Sequence, residues 1–215
     1  MLSLRRMLAN TLLLAAGLIC VPATIAQETL TVDRPQDALV VGPDQGTLML
    51  RGARLRDFQV VALNDIPAGE NEDVAVGDLN GDGILDAFVA RLRAPNLLLL
   101  GTDGGGFLAS EVGTPARSTA VALADFDDDG DLDAFVANEG KRRAELEDLE
   151  LRSMLYVNDG TTAFEVVPAY SEGLNPEDVV VDDFTGDGFA DAIVPDAYEV
   201  HLLFVGAGNG SFGVV

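Results

Sequence analysis

Three copies of an acidic loop, each set between two strand-like apolar runs, constrain this chain more than any other feature. The copies read "EDVAVGDLNGDGILDAFVA", "STAVALADFDDDGDLDAFVA" and "EDVVVDDFTGDGFADAIVP". Their first loop aspartates are Asp78, Asp125 and Asp183, spaced 47 and 58 residues apart. Self-similarity at such a period is the sequence signature of a repeat architecture, so the repeat is the unit to be folded.

A second landmark, a phenylalanine that follows a glycine-rich or polar turn, reports the same period. Phe107, Phe164 and Phe212 occupy this position in the three copies, and Phe58 marks a fainter copy before them. Each full repeat therefore predicts four short strands, and four antiparallel strands in about 40 to 50 residues are typical of a β-propeller blade. The short β-branched runs and frequent glycines argue against helical solenoids of similar period.

The predicted fold is thus all-β: a β-propeller of four-stranded antiparallel blades that is incomplete, with three full blades and a half blade. Its bounds are a half blade at residues 46–63 and blades at about 72–113, 118–169 and 177–215. Residues 27–45 form an N-terminal segment to which we assign no repeat.

Residues 1–26 have the order of a secretory signal peptide: Arg5 and Arg6, then an apolar run, then small residues ending at Ala26. The apolar run is shorter than the ~20 residues that a membrane-spanning helix needs. We therefore expect an exported protein, secreted or periplasmic, with no membrane span in the mature chain. Cleavage after Ala26 would remove Cys20, the one cysteine, and leave no disulfide to stabilise the loops.

The charge of the chain limits its partners. Its formal net charge is −23, which repels nucleic acid and anionic membranes and attracts cations. A disordered acidic chain would also carry such a charge, but 48% of the residues are hydrophobic and they cluster in short runs. We expect a folded protein that binds cations and does not bind nucleic acid.

The acidic loop itself has the pattern of a metal site. Counted from its first aspartate, it offers side-chain oxygens at positions one, three, five and nine and a backbone carbonyl at position seven, with a glycine at position six that allows a sharp turn. The predicted ligands are Asp78, Asn80, Asp82, Ile84 and Asp86 in loop one; Asp125, Asp127, Asp129, Asp131 and Asp133 in loop two; and Asp183, Thr185, Asp187, Phe189 and Asp191 in loop three.

Calcium is the ion that this donor set predicts, at about three sites. The donors are all oxygens, and the near absence of cysteine and histidine argues against zinc or copper. About five protein ligands before water approach the ~6 to 8 that calcium takes, whereas magnesium keeps more water. Position twelve is valine in all three loops, not the glutamate of an EF-hand, so the loop joins strands. Thr185 makes site three the weakest.

These loops resemble those of the FG-GAP or VCBS repeat family, which forms the propeller blades of integrin α-subunits. The resemblance extends from about Gly46 to Val215, and its specific part is the D-x-[D/N]-x-D-G-x-x-D loop. It implies calcium bound between the first two strands of a blade and a ring of about seven blades. Three explanations of the shorter arc stay open: a truncated reading frame, several chains assembled into a ring through open blade edges, or a capped arc.

The sequence shows no catalytic constellation. His201 lies within a strand-like run, no G-x-S-x-G is present, and each carboxylate cluster belongs to a predicted metal loop. We therefore expect a non-catalytic module for adhesion to an extracellular protein or glycan. A carbohydrate-active enzyme, such as a polysaccharide lyase built on a propeller, or a lectin is the alternative.

Overall fold

A computed structural model describes residues 38–42, 46–52, 58–62, 66–140, 152–170, 174–197 and 201–215. The predicted signal peptide at 1–26 and most of the segment at 27–45 lie outside these residues. The chain forms two compact units, residues 1–71 and residues 72–215, and strand β4 crosses the division between them.

The first unit contains a three-stranded antiparallel sheet in the order β1, β2, β3. Its strands are β1 (Ala38–Gly42), β2 (Gly46–Gly52) and β3 (Phe58–Ala62). Strands β2 and β3 coincide with the predicted half blade. Strand β1 is an addition, since it lies in the segment to which we assigned no repeat.

The second unit is built from ten further strands in two hydrogen-bonded sheets. One sheet has the order β4 to β9 and the other the order β10 to β13. The strands are β4 (Glu70–Gly77), β5 (Asp86–Gly101), β6 (Phe107–Ala124), β7 (Asp133–Asn138), β8 (Met154–Val157), β9 (Glu165–Pro168), β10 (Val180–Asp182), β11 (Asp191–Val194), β12 (Leu202–Gly206) and β13 (Phe212–Val214).

Strand β5 is a hairpin. A straight strand of its 16 residues would be about 50 Å long. Yet the N–H of Gly101, its last residue, donates to Oδ1 of Asp86, its first residue, at 2.7 Å. The chain reverses near Arg93, which has a φ of 62°. Strand β5 therefore supplies two of the four strands that the sequence predicts for repeat one.

Strand β6 belongs to two repeats in succession. Residues 107–117 of β6 pair with β5, and residues 118–124 pair with β7, with a register shift between Ser118 and Ala120. The six-stranded sheet thus consists of two four-stranded halves joined through β6. We call these halves the first and second sheets, and β10 to β13 the third sheet.

Strand β7 shows how the three sheets share their cores. All six of its residues are buried, and alternate side chains point to opposite faces of a strand. Ala134 and Val136 belong to the core between the first and second sheets, whereas Phe135 and Ala137 belong to the core between the second and third. A strand covered on both faces reads as a continuous apolar run, as "DAFVA" does.

Aromatic side chains occupy equivalent places in the two cores. Phe88 lies 5.2 Å from Tyr156 and 5.8 Å from Phe164, measured between ring centroids. One repeat later, Phe135 lies 5.1 Å from Phe204 and 5.5 Å from Phe212. All four pairs are edge-to-face, the arrangement that aromatic quadrupoles favour. The repeat seen in the sequence is therefore also a repeat of packing.

The predicted all-β class with antiparallel sheets is confirmed for the described residues. The propeller ring and the number of blades remain predictions. The part of the chain that the structure describes contains no helix of the length and apolarity needed to cross a membrane.

A substitution at Phe135 tests this packing. Phe135→Ala should lower the free energy of unfolding by about 3 to 5 kcal/mol, because it removes a fully buried ring from the core between the second and third sheets. Leu108→Ala is the control, since Leu108 is 66% exposed and its truncation should change stability by no more than about 0.5 kcal/mol. Urea unfolding measures the stability of both variants. Equal unfolding midpoints for Phe135→Ala and Leu108→Ala would contradict this packing.

A half-buried carboxylate, that of Asp73, joins the first sheet to the second. The backbone N–H of Val121 in β6 donates to Oδ2 of Asp73 in β4 at 2.9 Å. Burial raises the pKa of Asp73 to about 6 from an ordinary 3.8, and the negative charges of Asp178 and Glu72 add to the rise. The folded state therefore holds the proton of Asp73 more tightly than the unfolded state does.

This shift predicts a pH dependence of stability. A group whose pKa is raised on folding contributes stability that is complete below its unfolded pKa, here about 4, and is lost as the pH rises through about 6. In chelator, Asp73→Asn should weaken the fall in stability between pH 4 and pH 7. Thermal melts at several pH values measure it, with the exposed Asp103→Asn as control. If the melting temperatures of the wild type and Asp73→Asn depended on pH in the same way, the raised pKa of Asp73 would be contradicted.

Candidate functional site

The first aspartate of each acidic loop organises the loop by accepting backbone hydrogen bonds. In all three loops its two oxygens accept the N–H groups of positions five and six. The bonds are Asp82 N and Gly83 N to Asp78 at 3.1 and 2.8 Å, Asp129 N and Gly130 N to Asp125 at 3.2 and 2.9 Å, and Asp187 N and Gly188 N to Asp183 at 3.1 and 3.0 Å. The chain is therefore wrapped around the position-one carboxylate.

The glycine at position six is required by backbone conformation. Gly83, Gly130 and Gly188 have φ values of 83°, 98° and 94°, where a side chain on an L-residue is strained. Apart from the two adjacent residues, no heavy atom lies within 4 Å of where a Cβ would stand, so lack of space does not explain the glycine. Position four is also left-handed, and there Asp128 of loop two, with a φ of 62°, replaces a glycine.

The aspartate at position five closes the second half of the loop. Its Oδ1 accepts the N–H of position seven in each copy, which leaves the carbonyl of position seven as a predicted ligand. The three bonds are Ile84 N to Asp82 at 2.7 Å, Asp131 N to Asp129 at 2.9 Å and Phe189 N to Asp187 at 3.0 Å. The three loops therefore share one hydrogen-bonded frame.

The aspartate at position nine is buried in all three loops and has a structural role that the sequence analysis missed. Asp86, Asp133 and Asp191 are at most 1% exposed. One oxygen accepts the N–H of loop position two and the other accepts an N–H at the end of the next strand. The donors are Leu79 and Gly101 to Asp86, Phe126 and Asn158 to Asp133, and Phe184 and Gly206 to Asp191, at 2.7 to 2.9 Å.

Burial also perturbs the protonation of these carboxyls. It raises the pKa of Asp86 and raises that of Asp133 to about 6. Desolvation raises the pKa of Asp127 as well, and the charges of Asp129 and Asp125 add to the rise. Such shifts mean that the ionised loop is electrostatically costly, and a bound cation would offset that cost.

Loop two gathers three of its predicted ligands into one cluster. Asp125, Asp127 and Asp133 each offer a carboxylate oxygen, and these oxygens lie within 4.8 Å of one another. Oδ1 of Asp127 is buried and accepts no hydrogen bond in the structure. Buried polar atoms are rarely left without a partner, and three converging carboxylate oxygens suit a hard cation. The residues present in loop two therefore fit the predicted calcium ion.

The other predicted ligands are distributed differently. Asp129 is exposed and stands outside the cluster of loop two. Loops one and three have only two carboxylates at positions one, three and nine, because Asn80 and Thr185 replace the aspartate of position three. These two loops share the frame of loop two, and their metal sites remain predictions.

Asn158 is a second residue that the sequence analysis missed. Its side chain is fully buried, and its Nδ2 donates to the carbonyls of Leu79 in loop one at 2.7 Å and Leu132 in loop two at 3.1 Å. Its own N–H donates to Asp133. A signal was present, since Asn158 stands where the other two repeats have glycine, at Gly101 and Gly206. Asn158 thus ties two acidic loops together.

These observations define the class of protein: an all-β repeat protein whose strands are joined by hydrogen-bonded acidic loops. Two overlapping segments, residues 78–136 and 125–194, match the FG-GAP-like repeat, and together they cover more than half of the chain. Each match runs from the first aspartate of one acidic loop into the strand after the next loop. The chain belongs to the FG-GAP-like repeat family, as predicted. A search of curated proteins found no match.

The role of position nine can be separated from metal binding. In the presence of chelator, Asp86→Ala should destabilise the fold by at least about 2 kcal/mol, because two buried N–H groups lose their acceptor. Asp103→Ala removes the same charge from an exposed turn and should have little effect. Chemical unfolding of the metal-free proteins measures both. If Asp86→Ala were harmless without metal, position nine would act only as a ligand.

Proposed function

We propose that this chain is an exported, calcium-stabilised β-propeller-type repeat module that mediates adhesion to an extracellular protein or glycan. Its calcium ions are structural, and the module is non-catalytic. The metal, the compartment and the partner are supported by different observations.

Calcium binding is supported by the acidic cluster in loop two. There the buried Oδ1 of Asp127 accepts no hydrogen bond and lies beside carboxylate oxygens of Asp125 and Asp133. Two carboxylates about 4 Å apart repel each other by roughly 4 kcal/mol at an effective dielectric near 20. A divalent cation would replace this repulsion with attraction. Asp125, Asp127, Asp129 and Asp133, with the carbonyl of Asp131, would hold it.

Loops one and three extend the proposal to about three ions. Both repeat the hydrogen-bond frame of loop two at positions one, five and nine, so their oxygens have the same backbone support. Asn80 in loop one keeps an oxygen ligand at position three, whereas Thr185 in loop three offers only a hydroxyl. We expect the affinity order to be loop two, then loop one, then loop three.

The compartment and the partner rest on different grounds. Export is supported by the order of charged, apolar and small residues in 1–26, and extracellular calcium would keep even weak sites filled. Adhesion comes from analogy with other FG-GAP-like repeats, since a fold does not fix a function. The net charge of −23 disfavours nucleic acid as a partner.

Calorimetric titration with calcium tests the metal part. Asp127→Ala should remove one binding event and lower the melting temperature in calcium, because it deletes a converging oxygen of loop two. The matched control is Asp128→Gly, which removes a neighbouring exposed charge and installs the glycine that loops one and three carry at this left-handed position. It should leave the number of bound ions unchanged.

Two results would overturn the proposal. The first is an absence of calcium heat in the wild type together with a melting curve that chelator does not move. The second is an equal loss of binding in Asp127→Ala and Asp128→Gly, which would indicate general attraction to acidic surface. A glycan array with and without chelator then separates a sugar-binding module from one that adheres to protein.

A further inference from the structure

Two asparagine–glycine pairs lie in turns of this chain, Asn80-Gly81 in acidic loop one and Asn209-Gly210 just before β13. Asparagine followed by glycine is the pair most prone to spontaneous deamidation, because glycine has no side chain to shield its own nitrogen from the preceding amide. Both pairs therefore offer the same reaction, and their surroundings decide which of them reacts.

The two pairs have the same local geometry. In each, the side-chain Oδ1 of the asparagine accepts the N–H two residues on, from Asp82 at 3.0 Å and from Ser211 at 3.1 Å. Such an Asx turn folds the side-chain amide back toward the peptide bond that follows it. Gly81 and Gly210 also have nearly equal φ values, 70° and 71°. Local backbone geometry therefore does not distinguish the two pairs.

The surroundings of the glycine N–H do distinguish them. Gly210 donates its N–H to the carbonyl of Phe126 at 3.0 Å, and a Cβ on it would lie 3.6 Å from side-chain atoms of Leu155 and Val157. Gly81 is exposed, and apart from its two adjacent residues no heavy atom lies within 4 Å of where its Cβ would stand. Within the part of the chain that the structure describes, nothing accepts a hydrogen bond from the N–H of Gly81.

We propose that Asn80 is a site of spontaneous deamidation and that Asn209 is protected from the same reaction. The backbone nitrogen of Gly81 attacks Cγ of Asn80 and forms the C–N bond of a succinimide. The Cγ–Nδ2 bond breaks, and Nδ2 leaves as ammonia with the proton that the Gly81 nitrogen gives up. Solvent water then opens the ring: its hydroxyl joins one of the two succinimide carbonyl carbons and its proton returns to the nitrogen. Aspartate or isoaspartate results at position 80, without any metal, oxidant or enzyme.

Both products alter loop one. Nδ2 of Asn80 donates to Oδ2 of Asp82 at 3.0 Å, whereas an aspartate has no such donor and would bring a like charge to that carboxylate. An isoaspartate lengthens the main chain by a methylene carbon. It would displace the N–H groups of Asp82 and Gly83 from Asp78, to which they donate at 3.1 and 2.8 Å. If loop one binds calcium as proposed above, the aspartate product gives it the position-three carboxylate of loop two.

Peptide mass spectrometry tests the proposal on the full chain, incubated in chelator at mildly alkaline pH and then digested. Deamidation should be at least about tenfold faster at Asn80 than at Asn209. A tenfold difference in rate corresponds to about 1.4 kcal/mol of barrier, the size of the hydrogen bond that Gly210 must give up before it reacts. Labelling with an isoaspartate-specific methyltransferase identifies the isoaspartate product. Equal rates at the two asparagines would overturn the proposal.

A variant pair tests the role of the Gly81 nitrogen. Gly81→Asp should slow deamidation of Asn80 by at least about tenfold, because a side chain then shields the attacking nitrogen. Loop two carries Asp128 at this left-handed position, with a φ of 62°, so an aspartate fits the backbone there. Gly104→Asp is the matched control, since it adds the same charge in an exposed turn and should leave the rate at Asn80 unchanged.

Melting curves establish that each variant folds. If Asn80 deamidated as fast in Gly81→Asp as in Gly104→Asp, attack by the Gly81 nitrogen would be excluded. All rates are measured in chelator, so a failure here leaves the calcium proposal standing, and an absence of calcium binding would leave this proposal standing.

Discussion

The buried carboxylate at loop position nine is the interaction on which the rest of the structure depends. Asp86, Asp133 and Asp191 each bridge the start of an acidic loop and the end of a neighbouring strand. A buried charge is tolerated only where it is well satisfied, so these hydrogen bonds fix the loop to the sheet. The strands on both sides of the loop are therefore held at one spacing in all three repeats.

The same carboxylates can support the backbone and a cation together. A carboxylate oxygen accepts more than one interaction, so Asp125 and Asp133 can bind N–H groups on one side and a metal on the other. The backbone bonds hold the oxygens in place without an ion, which would reduce the ordering that metal binding requires. A bound cation would attract those oxygens and relieve their mutual repulsion, because the loop holds them close whether or not they are neutralised.

The sequence was sufficient for the repeat, the strand order and the left-handed glycines, because all three depend on local spacing. It was insufficient for the role of position nine, since an oxygen at that spacing serves a metal and a backbone N–H equally well. Asn158 escaped prediction because its contact with Leu79 spans 79 residues and depends on how two sheets pack. Phe184 is 43% exposed, whereas Phe126 at the equivalent loop position is 1% exposed. This difference depends on which sheets pack nearby, and spacing along the chain does not report it.

In loop two, the candidate metal site lies next to the core between the second and third sheets. Phe126 stands at position two, between Asp125 and Asp127 of the acidic cluster, and its ring lies 5.4 Å from that of Phe212 in the third sheet. Its N–H is held by Asp133 and its carbonyl by Gly210, so a change in the loop must also move the ring. Because Leu79 and Phe126 at position two are buried in the cores shared with the following sheets, an ion bound in loop one or loop two would also stabilise the interface with the next repeat.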